Sequence, residues 1–241
     1  MSKLNREWTV QPHGALVAVS DGILSVEGTI AMPLGNFPRR MTVLGLQGGG
    51  SAIWSAIPLR EPEMARIEAL GPVRFLIVPN QGHRLDLGPW KDRYPAAEVI
   101  APPSARKAVT EAAPVGGTGE IVGDATIAFH TVAGTKSDEF ALTVKRADGT
   151  TLILNDVLSN VRHPKGLGAQ IMARLFGFGV NGPRTSTLVR LMYLKDKAAL
   201  ARQFRDWAAL PNLRRIIVSH GDVIDRTPQE ALVRAAADLA P

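Results

Sequence analysis

The first third of the chain is a succession of short apolar runs punctuated by glycine. The stretches "ILSVEGTIAM" (23–32), "MTVLGL" (41–46) and "SAIWSAIPL" (51–59) are rich in Val, Ile, Leu and Thr and predict strands. Between the last two, "LQGGGSA" (46–52) predicts a hairpin turn, because three glycines tolerate positive φ. No Lys-Ser/Thr follows, so this is not a phosphate-cradling loop of the Walker type. The pattern then changes. "EPEMARIEAL" (61–70) predicts a short helix with Pro62 in its first turn and Gly71-Pro72 as its stop. "VRFLIVPN" (73–80) is a near-continuous apolar run, the mark of a strand buried on both faces. A second helix–strand unit runs from about Trp90 through "AEVIAPP" (97–103), and the helical "SARKAVTEAA" (104–113) follows. Such alternation argues for an α/β layer structure.

The middle reverts to strand patterns. "GEIVGDATIAFHTV" (119–132) and "EFALTVKRADGTTLILND" (139–156) predict strands, the second folded into a hairpin with Asp148-Gly149 supplying the turn chemistry. Beyond Asp156 the chain is irregular and Gly-rich, with a short helix expected inside 163–184. A helix is expected from about Asp196 to Leu210, with Leu200, Phe204 and Trp207 or Ala208 on one face. "RRIIVSHGD" (214–222) predicts a strand, and a capping box from Thr227 to Glu230 opens a last helix. No linker, repeat or low-complexity segment interrupts the chain, so residues 1–241 are expected to form a single domain.

Three of the apolar strands end in a residue able to hold a metal. "FLIVPNQGH" ends in His83, "TLILND" in Asp156, and "RIIVSHGD" in His220 with Asp222 just after. In open α/β sheets this carboxyl edge is where ligands bind, because a buried strand fixes the ligating residue while the loop beyond leaves room for substrate. Imidazoles and carboxylates suit zinc, iron or manganese, and a bound divalent ion makes a water acidic enough to act as a nucleophile near neutral pH. Each residue also has a plain structural role available. His83 can bond a backbone carbonyl, Asp156 can close an Asx-turn, and His220 can close a turn before Gly221. Asp86 and Asp222 are candidates for a ligand, a base or an orienting group. His163, in "VRHPKG", can lean toward Asp156 or simply occupy a surface loop.

Composition narrows the picture. The 241 residues contain no cysteine, which removes disulfides, thiolate ligands and a cysteine nucleophile and fits a cytoplasmic protein. No apolar run is long enough to cross a membrane. No G-x-S-x-G, H-E-x-x-H or Rossmann glycine pattern appears in strand context. The net charge is +6, and the excess gathers between residues 160 and 215, where Asp196 and Asp206 are the only opposing acids. A solvated helical face accounts for that bias, and an anionic lipid or an anionic, for example phosphorylated, small-molecule substrate also fits it. Nucleic acid fits it less well, because no nucleic-acid-binding motif appears.

This order of features resembles the metallo-β-lactamase superfamily. The points of likeness are a β-rich first half with a glycine hairpin near residue 48, the loop 79–86 after a buried strand, "TVAGTKSDEFAL" (131–142), the strand ending in Asp156 and the late "SHG". The resemblance implies an αββα sandwich. It also implies a metal site built on H-x-H-x-D-H, a later G-H, a strand-end Asp and a last H-G. Asp156 and His220 match their places in that pattern. The leading histidines do not: with Asn80 opening the motif, Gly82 takes the second histidine position and Arg84-Leu85 replace the Asp-His pair. Thr135, in "AGT", stands where the histidine of G-H is expected. More narrowly, "VPNQGHRLDLGPWKDRYPAAEVIAPP" (78–103) and "LILNDVLSN" (152–160) resemble a branch known only as a domain of unknown function. The three strand ends, set on such a fold, give the expectation of a hydrolase with a reduced metal site of His83, Asp156 and His220, although His83 does not keep the spacing of the family motif. A metal-free binding module that keeps the fold is the alternative, and a phosphoester or nucleic-acid role through residues 160–215 is a third.

Overall fold

The computed structural model describes residues 4–32, 35–164 and 166–239. The chain divides into two compact units, one of residues 1–28 and 40–129, the other of residues 29–39 and 130–241.

The first unit is built on a six-stranded sheet. Its strands are β1 (Val17–Ser20), β2 (Ile23–Met32), β3 (Gly35–Gly45), β4 (Ser51–Trp54), β5 (Val73–Ile77) and β6 (Glu98–Ile100), and they lie in that order across the sheet. The outer ends of β2 and β3, residues 29–39, count with the second unit. β3 and β4 pair antiparallel across the expected glycine turn, where Gly49 and Gly50 take φ +78° and +85°. A side chain at Gly50 would also meet the Pro72 carbonyl at 2.6 Å, so glycine is required there twice over. β4, β5 and β6 run parallel. The connections between them carry α1 (Glu61–Glu68) and α2 (Leu87–Arg93), as parallel neighbours demand. α3 (Arg106–Thr110) follows β6. The core joins Ile53, Leu76 and Val99 of the sheet to Met64 and Ile67 of α1 and Trp90 of α2.

The second unit is built on a four-stranded sheet of β7 (Ile127–Thr131, whose first three residues count with the first unit), β8 (Phe140–Arg146), β9 (Gly149–Leu154) and β10 (Leu213–Val218), in the order β10-β9-β8-β7. β8 and β9 form the predicted hairpin, and Gly149 takes φ +126° beside the Asn212 carbonyl. β10 lies parallel to β9 with Val218 opposite Leu154. The unit also contains α4 (Leu167–Leu175), α5 (Thr187–Met192), α6 (Lys197–Ala208) and α7 (Pro228–Leu239). Asp196 caps α6 by accepting from the Ala199 amide at 2.9 Å. Leu200, Phe204 and Trp207 of α6 and Leu232, Ala235 and Ala236 of α7 pack with Leu152, Leu154 and Ile216 of the sheet.

Two expectations need correcting. Residues 119–122 form a tight 3-10 turn ended by Gly123 at φ +60°, so the strand predicted from residue 119 begins at Ile127. β3 starts at Gly35, six residues before the apolar run that marked it. Pro38, Arg39 and Arg40 hide this extension; Arg40 is buried and satisfied by Ser25 Oγ at 3.1 Å and Glu27 at 3.3 Å. β1 and α5 are short elements that the pattern did not reveal.

Candidate functional site

The second unit brings Asp156 and His220 together through register alone. Leu154 and Val218 are paired on parallel neighbouring strands, and each candidate lies two residues beyond its strand's paired position. The Ser219 amide donates to the Leu154 carbonyl at 3.1 Å, which extends the pairing into the loops. As a result His220 Nε2 stands 3.0 Å from Asp156 Oδ1. The other ring nitrogen, Nδ1, donates to the Pro38 carbonyl at 2.8 Å. A carbonyl only accepts, so this contact fixes the proton on Nδ1 and turns Nε2 toward the carboxylate. Burial works against charge on the ring. The hydrogen bond to Asp156, the carboxylate's charge and the Pro38 carbonyl outweigh it and hold His220 above the usual imidazole value. Phe37 lies against the ring, centroids 5.1 Å apart.

His83 is held within the first unit. Beyond β5 the chain turns through Asn80, whose Oδ1 accepts from the Gly82 amide at 2.8 Å, an Asx-turn that presents His83 next. His83 Nδ1 and Ser55 Oγ lie 2.7 Å apart. Ser55 is buried and sits in the left-handed region at φ +56°, a cost a non-glycine residue bears only where the surroundings dictate it. Arg84 staples the loop: its guanidinium donates to the Gln81 carbonyl at 2.8 Å and pairs with Glu111 at 2.9 Å. Asp86, 2 % exposed, stands at the start of α2 and accepts from Asn5 Nδ2 at 2.7 Å.

The remaining candidates fall out variously. Thr135 is buried and donates to the Val132 carbonyl at 3.0 Å, in a turn where a side chain at Gly134 would strike the Asp196 carbonyl. Asp222 is part exposed and its carboxylate lies 3.9 Å from Nε2 of His163, whose own side chain is 83 % exposed. The basic stretch is partly neutralised by acids distant in sequence, since Arg215 pairs with Asp148 at 2.5 Å and Arg184 with Asp238 at 4.0 Å. Sequence reasoning missed Ser55, Pro38 and Tyr193. The Tyr193 hydroxyl is raised above its ordinary value by burial and then by the charges of Asp156 and Glu139. It missed Glu139 as well, which is buried and accepts from the Val157 amide at 3.3 Å.

Comparison with solved structures places this architecture. The chain is similar to the metallo-β-lactamase FIM-1 from Pseudomonas aeruginosa in its mono-zinc form, at a TM-score of 0.65 and 12% identity, over 97% of this chain and 100% of that one. It is similar to a metallo-β-lactamase from Erythrobacter litoralis at 0.62 and 15% identity, over 92% and 96% of the two chains. A metallo-β-lactamase from Hirschia baltica aligns at 0.58 and 13% identity, over 92% and 97%. No family model and no curated protein matches the sequence. The chain therefore has the metallo-β-lactamase fold, the mixed α/β, αββα class expected from the sequence. No helix of the described residues is long and apolar enough to cross a membrane.

Proposed function

We propose that the protein is a metal-dependent hydrolase with a reduced site, in which His83, Asp156 and His220 hold one divalent ion. The observation that carries this reading is the Asp156–His220 pair at a strand edge, with the histidine's Nδ1 spent on the Pro38 carbonyl. That is the arrangement metal-ligating histidines adopt, one nitrogen donating to a carbonyl so that the other offers its lone pair. Ser55 Oγ engages His83 Nδ1 at 2.7 Å, and with Nδ1 donating to that hydroxyl, Nε2 would be the ligating atom. Two imidazoles and a carboxylate are the donor set of many catalytic zinc sites, and they also suit iron or manganese.

A divalent ion bound there supplies Lewis acidity and a water acidic enough to attack near neutral pH. The chain's own residues do the rest. Pro38 and Ser55 set the ring orientations, and Asp222, part exposed, would serve as the base in this reading. Asp86, buried at the start of α2, would orient the His83 loop. Asn80, Thr135 and His163 border the site in this proposal without ligating. Residues 1–241 act as one domain, on an anionic small-molecule substrate that the basic stretch between 160 and 215 attracts. The absence of cysteine fits a cytoplasmic setting.

One observation favours a second reading. Asp156 and a protonated His220 satisfy each other directly at 3.0 Å, so a metal-free module that keeps the fold needs nothing more at this edge. Titration of chelator-treated protein with zinc separates the two. Saturable binding of one ion per chain, lost in His220→Ala, supports the hydrolase; no binding in wild type leaves the metal-free module.

A further inference from the structure

The second unit contains a cavity of about 440 Å³, within the size range of small-molecule sites. Arg162, Arg226 and Arg234 line it, each from a different segment: the loop beyond β9, the loop beyond β10, and α7. Among the described residues none of the three has an ion-pair partner, whereas Arg184 and Arg215 nearby in sequence do. The three side chains are exposed, so solvent screens their repulsion, and together they favour an anion in the hollow between them. Only Asp225 opposes them in the lining. Thr227, just before Pro228 opens the twelve-residue α7, lines the same hollow, so the positive end of that helix adds to the field.

An independent feature asks for more than a bare anion. Asn160 lines the cavity and is 4 % exposed. Its Nδ2 donates to the Asp222 carbonyl at 3.0 Å, but its Oδ1 is buried with no partner among the described residues. A buried amide oxygen left this way is costly, and a ligand O–H or N–H would satisfy it. Asp225 is a second acceptor for such donors, and Val223 and Ile224 provide an apolar wall for a carbon skeleton.

We propose that this cavity binds a small phosphomonoester of a polyhydroxy compound, the phosphate held by Arg162, Arg226 and Arg234 and a hydroxyl donating to Asn160. The site needs no metal and stands apart from the reading of Asp156 and His220. It is nonetheless tied to that edge, since the Asn160 amide donates to the His220 carbonyl at 3.0 Å and the Asp222 amide to the Asn160 carbonyl at 2.9 Å.

Calorimetric titration of the whole, chelator-treated chain at low ionic strength tests it, with ribose 5-phosphate, inorganic phosphate and ribose as probes. Ribose 5-phosphate is expected to bind one per chain, about tenfold tighter than inorganic phosphate, with ribose alone not measurable. The double variant Arg226→Ala/Arg234→Ala, altered only at exposed positions, should keep the unliganded melting temperature and lose affinity by about tenfold or more. Undiminished affinity in that variant, or no saturable binding in wild type, overturns the proposal. Equal affinity for phosphate and ribose 5-phosphate overturns the hydroxyl contact at Asn160.

Discussion

Asp156 Oδ1 and His220 Nε2 meet at 3.0 Å because both residues stand two positions beyond a paired Leu154 and Val218. Parallel neighbouring strands carry equal offsets to the same edge, so a sequence separation of sixty-four residues does not loosen the contact. Replacing Asp156 by Asn keeps the shape and removes the charge. Under the proposed site, zinc affinity of Asp156→Asn falls by about a hundredfold or more, read by competition with a chromophoric chelator. Unchanged affinity would remove Asp156 from the ligand set.

Ser55 acts only through His83 in this account. Ser55→Ala removes the Oγ contact at 2.7 Å while leaving the ring in place. Loss of an orienting partner lowers metal affinity by about tenfold or more, with the donor atoms intact. Ser55→Gly also relieves the positive φ, so it should melt no lower than Ser55→Ala and yet bind metal equally poorly. If both variants bind metal like wild type, Ser55 has no orienting role.

Gly221 is fixed by backbone geometry. Its φ is +101°, and a Cβ there would lie 2.1 Å from the Asn160 carbonyl oxygen. Gly221→Ala must therefore push apart the bridge between Asn160 and Gly221. A cost of about 2 kcal/mol or more is expected, lowering the melting temperature by about 4 °C or more. A variant that melts with the wild type would contradict this packing.

His130 provides a pH signature away from the candidate site. The ring is half buried on β7, with Nε2 and Thr143 Oγ1 2.9 Å apart and Trp207 edge-on. Burial holds its pKa below the usual imidazole value. The unfolded chain then takes up a proton first as pH falls, so the stabilisation from this residue is present above about 6.5 and is lost as pH drops toward the depressed folded value. Denaturant midpoints at pH 7.5 and 5.5 should fall more for wild type than for His130→Gln. Equal falls would show that His130 does not titrate differently on folding.

Much of the fold was legible because burial and sequence pattern coincide. β5, β9 and β10 are apolar runs that end abruptly in polar residues, and Phe204 and Trp207 repeat at helical spacing on α6. The same abrupt endings made His83, Asp156 and His220 visible. The groups that orient them were not. Pro38 lies 182 residues from His220 and contributes only a backbone carbonyl, which no side-chain pattern encodes. Ser55 is an ordinary residue within an apolar stretch, distinguished by a dihedral angle rather than by its type. Of the three cavity arginines only Arg162 falls in the basic stretch 160–215; Arg226 and Arg234 lie beyond it, and only the tertiary fold gathers all three into one wall.

The central claim is that one divalent ion belongs to this chain. Metal analysis of protein purified without an affinity tag tests it most directly, by mass spectrometry against protein concentration. Wild-type protein should carry about one equivalent of zinc, iron or manganese per chain, and His220→Ala near none. Less than about a tenth of an equivalent of any transition metal in wild type, unchanged after incubation with zinc, would contradict it.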